Sequence, residues 1–211
     1  MPPLFPSDPK KIRERIRRYE RELEREFELG GYRDGFGKRF LLGPLYLLAG
    51  DVEGALASFE WFEETFPDSC GDPWQYLAWA LTLYRGRQWD AASVKLYHTM
   101  LQNLYLIPHL LGDKPRRLAI WHGSNLEEIG HALETPPELL ALWSAEERAW
   151  ARQVSQQPAV VKRVARYIEI ARELKREPPG RRRTALVNEA SRLERSNLED
   201  DVKSQNVDRS G

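Results

Sequence analysis

Leu42-Gly43-Pro44-Leu45-Tyr46, followed by Ala55-Leu56-Ala57-Ser58-Phe59 and then Pro67, is the run whose reading decides the fold. Gly43 has no side chain and Ala55 only a methyl, so the helices that carry them can approach closely where larger residues would hold them apart. Tyr46 and Phe59 then fill the space beside that contact. Ala49-Gly50-Asp51 breaks the first helix, with Gly50 suited to a left-handed C-terminal turn and Asp51 to capping the next helix through its carboxylate. Pro67 stops the second helix, because its ring cannot follow another helical turn.

Small and aromatic residues at these offsets resemble the tetratricopeptide repeat, an antiparallel helix pair of about 34 residues. The repeat would run from about Phe36 to Ser69, with Arg39 where the family pattern has Trp. A looser copy follows 37 residues on, as Ala92 replaces Ala55. Tyr76 then stands at the Trp position, Trp79-Ala80 at the Leu-Gly positions, Leu83 at the Tyr position and Leu96 at the Phe position. Asp72-Pro73 supplies a cap and a first-turn proline, and Arg85-Gly86-Arg87 the inner turn. The resemblance implies an all-α fold, an α-α superhelix of tetratricopeptide-like helix pairs that binds other proteins and carries no chemistry of its own.

In such an array the first helix of each pair lines the concave surface. That places Phe40, Pro44, Leu47, Trp74, Leu77, Leu81 and Tyr84 in a partner-binding groove. The family's clamp for peptide carboxylates needs Lys and Asn there, and this chain has neither. An apolar face this wide does not stay exposed on a soluble monomer. It is to be covered by the amino-terminal helix, by the helices after Pro115, or by an apolar partner helix.

The 211 residues carry 32 basic and 32 acidic side chains, so no global field favours nucleic acid or an anionic membrane. The single Cys70 can form neither an internal disulfide nor a cysteine zinc site. Met1-Pro2-Pro3-Leu4-Phe5-Pro6 has no basic start and no apolar run of signal-peptide length. The longest apolar stretch, Phe40 to Ala49, is far short of the ~20 residues that span a bilayer. A cytoplasmic location and no membrane partner are the default expectations.

Residues 8–30 read as an amphipathic helix. Ser7-Asp8-Pro9 starts it, and Ile12, Ile16, Tyr19, Leu23 and Phe27 mark its apolar face. It either packs on the first repeat or serves as a partner-binding coiled coil. The repeat domain spans 36–155. Within it, Asn103 to Gly112 resembles the Asn-Pro-aromatic-aliphatic-Pro-x-x-Leu-Leu-Gly run of a group of bacterial tetratricopeptide-like proteins. Gly123-Ser124, Glu127-Glu128 and Trp143 extend that resemblance, which covers about Phe36 to Trp150 and brings no catalytic residues. Ser124 with Glu127, Thr135 with Glu138 and Ser144 with Glu147 predict three capping boxes and a third helical pair. Trp121, Leu126, Ile129, Leu133, Leu139, Leu142, Trp143 and Trp150 would supply its buried surface.

Catalytic chemistry finds little support. Glu128-x-x-His131 has the spacing of carboxylate-bridged metal sites, but those need a second such motif and further carboxylates on facing helices. Trp121-His122-Gly123-Ser124 lacks the Gly-x-Ser-x-Gly elbow that exposes a nucleophile. No phosphate loop and no Gly-x-Gly-x-x-Gly turn occurs, so no cofactor, no metal and no enzymatic role is expected.

Residues 158–196 read as a basic helical extension, and 197–211 as a disordered tail. Val161, Val164, Ile168 and Ala171 would mark the apolar face of its first helix, which Pro178-Pro179-Gly180 ends. Lys162, Arg163, Arg166, Arg181, Arg182 and Arg183 could hold phosphates, making a nucleic-acid-associated adaptor acting through 162–183 the alternative to a protein-binding scaffold. The other reading is a solvated helix face with a basic linker, since only Tyr167 is at hand for base stacking.

Overall fold

The computed structural model describes residues 4–32, 37–69 and 71–196. Phe36 at the start of the first repeat, Cys70 and the tail 197–211 lie outside the described residues. Those described fold into α1 (Pro9–Glu28), α2 (Lys38–Leu48), α3 (Val52–Thr65), α4 (Pro73–Arg85), α5 (Trp89–Gln102), α6 (Leu106–Leu110), a 3-10 turn (Asn125–Glu127), α7 (Ile129–Leu133), α8 (Pro137–Ala141), α9 (Ala145–Ser155), α10 (Pro158–Leu174) and α11 (Arg181–Arg195). No strand occurs among the described residues. None of these helices is long and apolar enough to cross a membrane. The contacts divide the chain into two units, one running to Lys95 and including Glu134–Glu147, the other taking Leu96–Leu133 and the chain from Arg148. The border falls inside α5, within the stretch read from sequence as one domain.

In the first unit local chemistry sets each helix start. The Asp8 carboxylate accepts from the amides of Lys10 and Lys11, and Pro9 begins α1. Asp51 accepts from the Gly54 amide at 2.8 Å, and Asp72 and Gln75 exchange bonds in a capping box at the head of α4. Between α2 and α3, Gly50 takes φ +77°, while the Asp51 amide reaches back to Tyr46 O and the Gly50 amide to Leu47 O. That is the Schellman closure, which satisfies carbonyls a helix end would otherwise leave bare.

The α2–α3 pair packs around Gly43. The Phe59 ring lies on Gly43 so closely that a β-carbon there would fall 2.6 Å from Cε1 and Cζ. Phe59 in turn stacks on Trp79 of α4, centroids 5.1 Å apart and 5° from parallel. Lys95 Nζ sits 3.3 Å from the centroid of the Trp79 ring and 3.1 Å from a Glu63 carboxylate oxygen. Burial lowers the pKa of Lys95, and Glu63 opposes the shift without cancelling it. A second cluster joins the amino-terminal segment to the helices: Phe5, Ile12, Ile16 and Leu23 pack with Leu41, Leu42, Leu45, Trp74 and Leu139. Leu139 explains why Glu134–Glu147 belongs to this unit, and Arg85 ties it further by donating to Leu142 O and the Glu147 carboxylate.

After α6 the chain departs from the expected third helical pair. Residues 113–122 are neither helix nor strand, and the third helical pair is replaced by the short α7 and α8 and by α9. Asn103, fully buried, holds this irregular chain: its amide nitrogen donates to Leu126 O and Glu128 O while its oxygen accepts from the Tyr105 amide. Of the three capping boxes only Ser144–Glu147 closes in both directions. Thr135 stops short, since α8 begins at Pro137 with Pro136 as its cap residue, and its hydroxyl is buried without a partner among the described residues. Glu127 reaches the Gly123 amide, but the Ser124 side chain caps nothing. Trp121 and Leu133 are also exposed rather than buried.

The apolar face of α10 is rotated from the expected one. Val161 is half exposed, whereas Val160, Arg163, Tyr167, Ile170, Ala171 and Leu174 are buried. Arg163 sits inside that stripe because its stem is apolar, its guanidinium lies over the Tyr97 ring and Nη1 donates to Ser196 Oγ. Ile170, Leu174 and Leu186 form the α10–α11 core.

Candidate functional site

The residues read as a concave groove are mostly core. Pro44, Leu47, Trp74, Leu77 and Leu81 are buried, and Phe40 and Tyr84 half-buried. Phe5 meets Trp74 edge to face at 5.9 Å, Phe40 packs on Phe62, and Tyr84 meets Trp89 at 4.7 Å. No partner could reach Leu77 or Leu81, which have no exposed surface.

The opening lies elsewhere in the first unit, where α1 and α3 stand as walls over α2. This cleft encloses about 640 Å³. Glu20, Leu23, Glu24 and Phe27 come from α1, at the helical spacing that puts them on one face. Gly54, Ala57, Ser58, Trp61 and Thr65 come from α3 by the same spacing, with Leu42 and Tyr46 beneath and Tyr32 closing one end. Aromatic rings brace that end. Tyr32 meets Trp61 edge to face at 5.8 Å and Phe66 at 4.9 Å, and Phe27 lies 5.6 Å from Tyr32.

The polar groups in the cleft are the carboxylates of Glu20 and Glu24 and the hydroxyls of Tyr32, Tyr46, Ser58 and Thr65. The Tyr46 hydroxyl donates to the Glu20 carboxylate, and burial together with that carboxylate pushes the phenol pKa well up. The Tyr46 ring passes so close to Gly54 that a β-carbon there would lie 2.6 Å from it. Ser58 is buried, and its hydroxyl has no hydrogen-bond partner among the described residues. Phe27 is 64% exposed, and Leu29 just past the end of α1 75%, so apolar surface lies open at this end of α1. The sequence placed Phe27 on an apolar face, yet the cleft escaped it because α1 and α3 are joined by no pattern along the chain.

The second unit has a smaller pocket of about 180 Å³, lined by Trp121, Glu127, Tyr167 and Glu194 among others. Tyr167 donates to Glu194 at 2.8 Å. Burial raises the pKa of Glu127, against the lowering effect of the Gly123 amide. His122 is held below its ordinary value by burial. No group of three or more metal-ligating side chains converges among the described residues. Glu128 precedes α7 in extended conformation, so it shares no helix face with His131.

The basic residues do not form an open patch. Arg166 bonds both oxygens of Glu189 at 2.7 and 2.8 Å, and Arg182 pairs with Glu173 and Glu177. Arg183 donates to the carbonyls of Leu174 and Glu177 at the end of α10, with its guanidinium over Trp121. Arg163 is buried, which leaves Lys162 and Arg181 as exposed members of the set without an ion pair among the described residues.

Comparison with protein-family models, with curated proteins and with solved structures finds no match for this chain.

Proposed function

We propose that this chain is a protein-interaction module of tetratricopeptide-like construction, with the α1–α3 cleft as its docking site. The observation that carries the reading is the cleft itself: open, aromatic and apolar, with carboxylates and hydroxyls to orient an occupant. The helix pairs on either side of Gly50 and Gly86, with Gly43 under Phe59, support the repeat assignment. A nucleic-acid adaptor gains less support, because Arg166 and Arg182 already spend their charge on carboxylates. Ala57 is exposed and lines the cleft, so Ala57→Trp would plug it without entering the core. Capture from an extract of the native host should retain a protein on the parent chain that the variant loses, at unchanged helical circular dichroism. Retention of the same proteins by both chains would sink this reading.

A further inference from the structure

From the charge around the cleft we infer that its occupant is an amphipathic helix whose polar flanks are basic. This deepens the docking reading above and rests on it. Glu20 and Glu24 stand in the α1 wall, and among the described residues no Lys or Arg lines the cleft. On α3, Glu53, Glu60 and Glu64 share the exposed stripe with Ala57, directly beside the residues that form the other wall. None of Glu24, Glu53, Glu60 and Glu64 takes part in an ion pair among the described residues. By contrast, the nearby Lys38 is held away by Glu22 and Glu26 at 3.2 and 2.6 Å. A groove walled by two helices, α1 and α3, is one into which the side-chain ridge of a third helix fits. Aromatic rings would take its apolar stripe, and the carboxylates on both rims would take Lys or Arg on its flanks. An acidic helix with the same stripe would meet like charge on both sides.

The probe is a pair of labelled peptides of about five helical turns, one built of Leu and Lys, the other of Leu and Glu, with identical apolar stripes. Fluorescence anisotropy reads their binding to the full chain. The Leu/Lys peptide should bind at least about tenfold more tightly, with affinity falling as salt rises. The triple variant Glu24→Gln, Glu60→Gln, Glu64→Gln should weaken it by about fivefold and flatten the salt dependence. Ala57→Trp should abolish binding. Equal affinity for both peptides would overturn the basic-helix proposal and leave the docking cleft standing. Binding of the Leu/Lys peptide that ignores Ala57→Trp would overturn the proposal and take the cleft with it, as adhesion to a general acidic surface. No binding of either peptide would also overturn it. Concentration-dependent self-association that Ala57→Trp abolishes would name a second copy of the chain as the occupant instead.

Discussion

The Phe59 ring lies against Gly43, in space that a single methyl would fill: a β-carbon at residue 43 would stand 2.6 Å from two ring atoms. Nor is the ring free to retreat, because it stacks on Trp79 at 5.1 Å and is itself 1% exposed. The approach of α2 to α3, and of both to α4, thus turns on one missing side chain.

Gly43→Ala sets two effects against each other. Alanine is favoured over glycine in a helix interior by about 1 kcal/mol, while overpacking a tight core costs about 1–3 kcal/mol. With an aromatic ring as the obstacle, the second wins. Urea denaturation should show a net loss of about 1–2 kcal/mol. In a Phe59→Leu background the same change should cost nothing or stabilise, so the two sites are coupled. Additive losses would show that the close approach does not set the packing.

Ser58 offers the opposite sign. Its buried hydroxyl has no partner among the described residues, and a polar group buried unpaired costs about 1–3 kcal/mol. Ser58→Ala should therefore raise the thermal midpoint, with a gain of about 1 kcal/mol. An unchanged or lower midpoint would mean that a bound water satisfies the hydroxyl.

The second inner turn shows where local sequence chemistry misleads. Gly86 invites the left-handed role that Gly50 fills, yet Gly86 has φ −75° and Arg87 takes φ +61°. The closure is the same one residue later: the Gln88 amide bonds Leu83 O and the Arg87 amide bonds Tyr84 O. An L residue in that region carries a steric cost that glycine avoids, partly offset by glycine's entropy. Arg87→Gly should stabilise the fold by about 0.5–1 kcal/mol, read as a higher urea midpoint at unchanged m-value. Destabilisation would mean that the Arg87 side chain makes a contact that outweighs backbone strain.

What was legible in the sequence was what neighbours along the chain decide. Asp8, Asp51 and Asp72 cap through amides two or three residues away, and Gly50 closes a turn with its own helix. The α10 stripe was mis-phased because Val160 and Val161 are interchangeable as apolar signals and Arg163 reads as polar. Partners distant in sequence, the Tyr97 ring and Ser196 Oγ, make a buried arginine favourable there. The groove residues Leu77 and Leu81 were rightly apolar, but periodicity does not say whether an apolar face meets solvent, a partner or the chain itself. For the cleft, the signal available was apolar surface in excess of what packing needs: Phe27 on α1, which stays largely exposed.

The pair Arg85–Glu147 joins α4 to the head of α9 within the first unit, and it makes stability depend on pH. Arg85 Nε and Nη2 bond the two carboxylate oxygens at 2.7 and 3.2 Å, and the Ser144 amide adds a third bond at 2.7 Å. Burial opposes ionisation of Glu147, but these bonds and the Arg85 charge outweigh it and hold the carboxyl below its ordinary value. Since the folded state releases this proton more readily than the unfolded state, the contribution is complete above the ordinary glutamate value of 4.5 and fades as pH falls through the folded one. Glu147→Gln should cost about 2 kcal/mol at neutral pH, less than the loss for breaking a fully buried pair because Arg85 remains partly exposed. Its urea midpoint should converge with that of the parent chain as the medium is acidified below pH 4.5. Arg85→Met should cost more, since it leaves the carboxylate buried with its main partner gone, and its loss should ease on acidification as Glu147 protonates. Parallel midpoint curves for the parent chain and Glu147→Gln across that range would show that the pair contributes no pH-dependent stability.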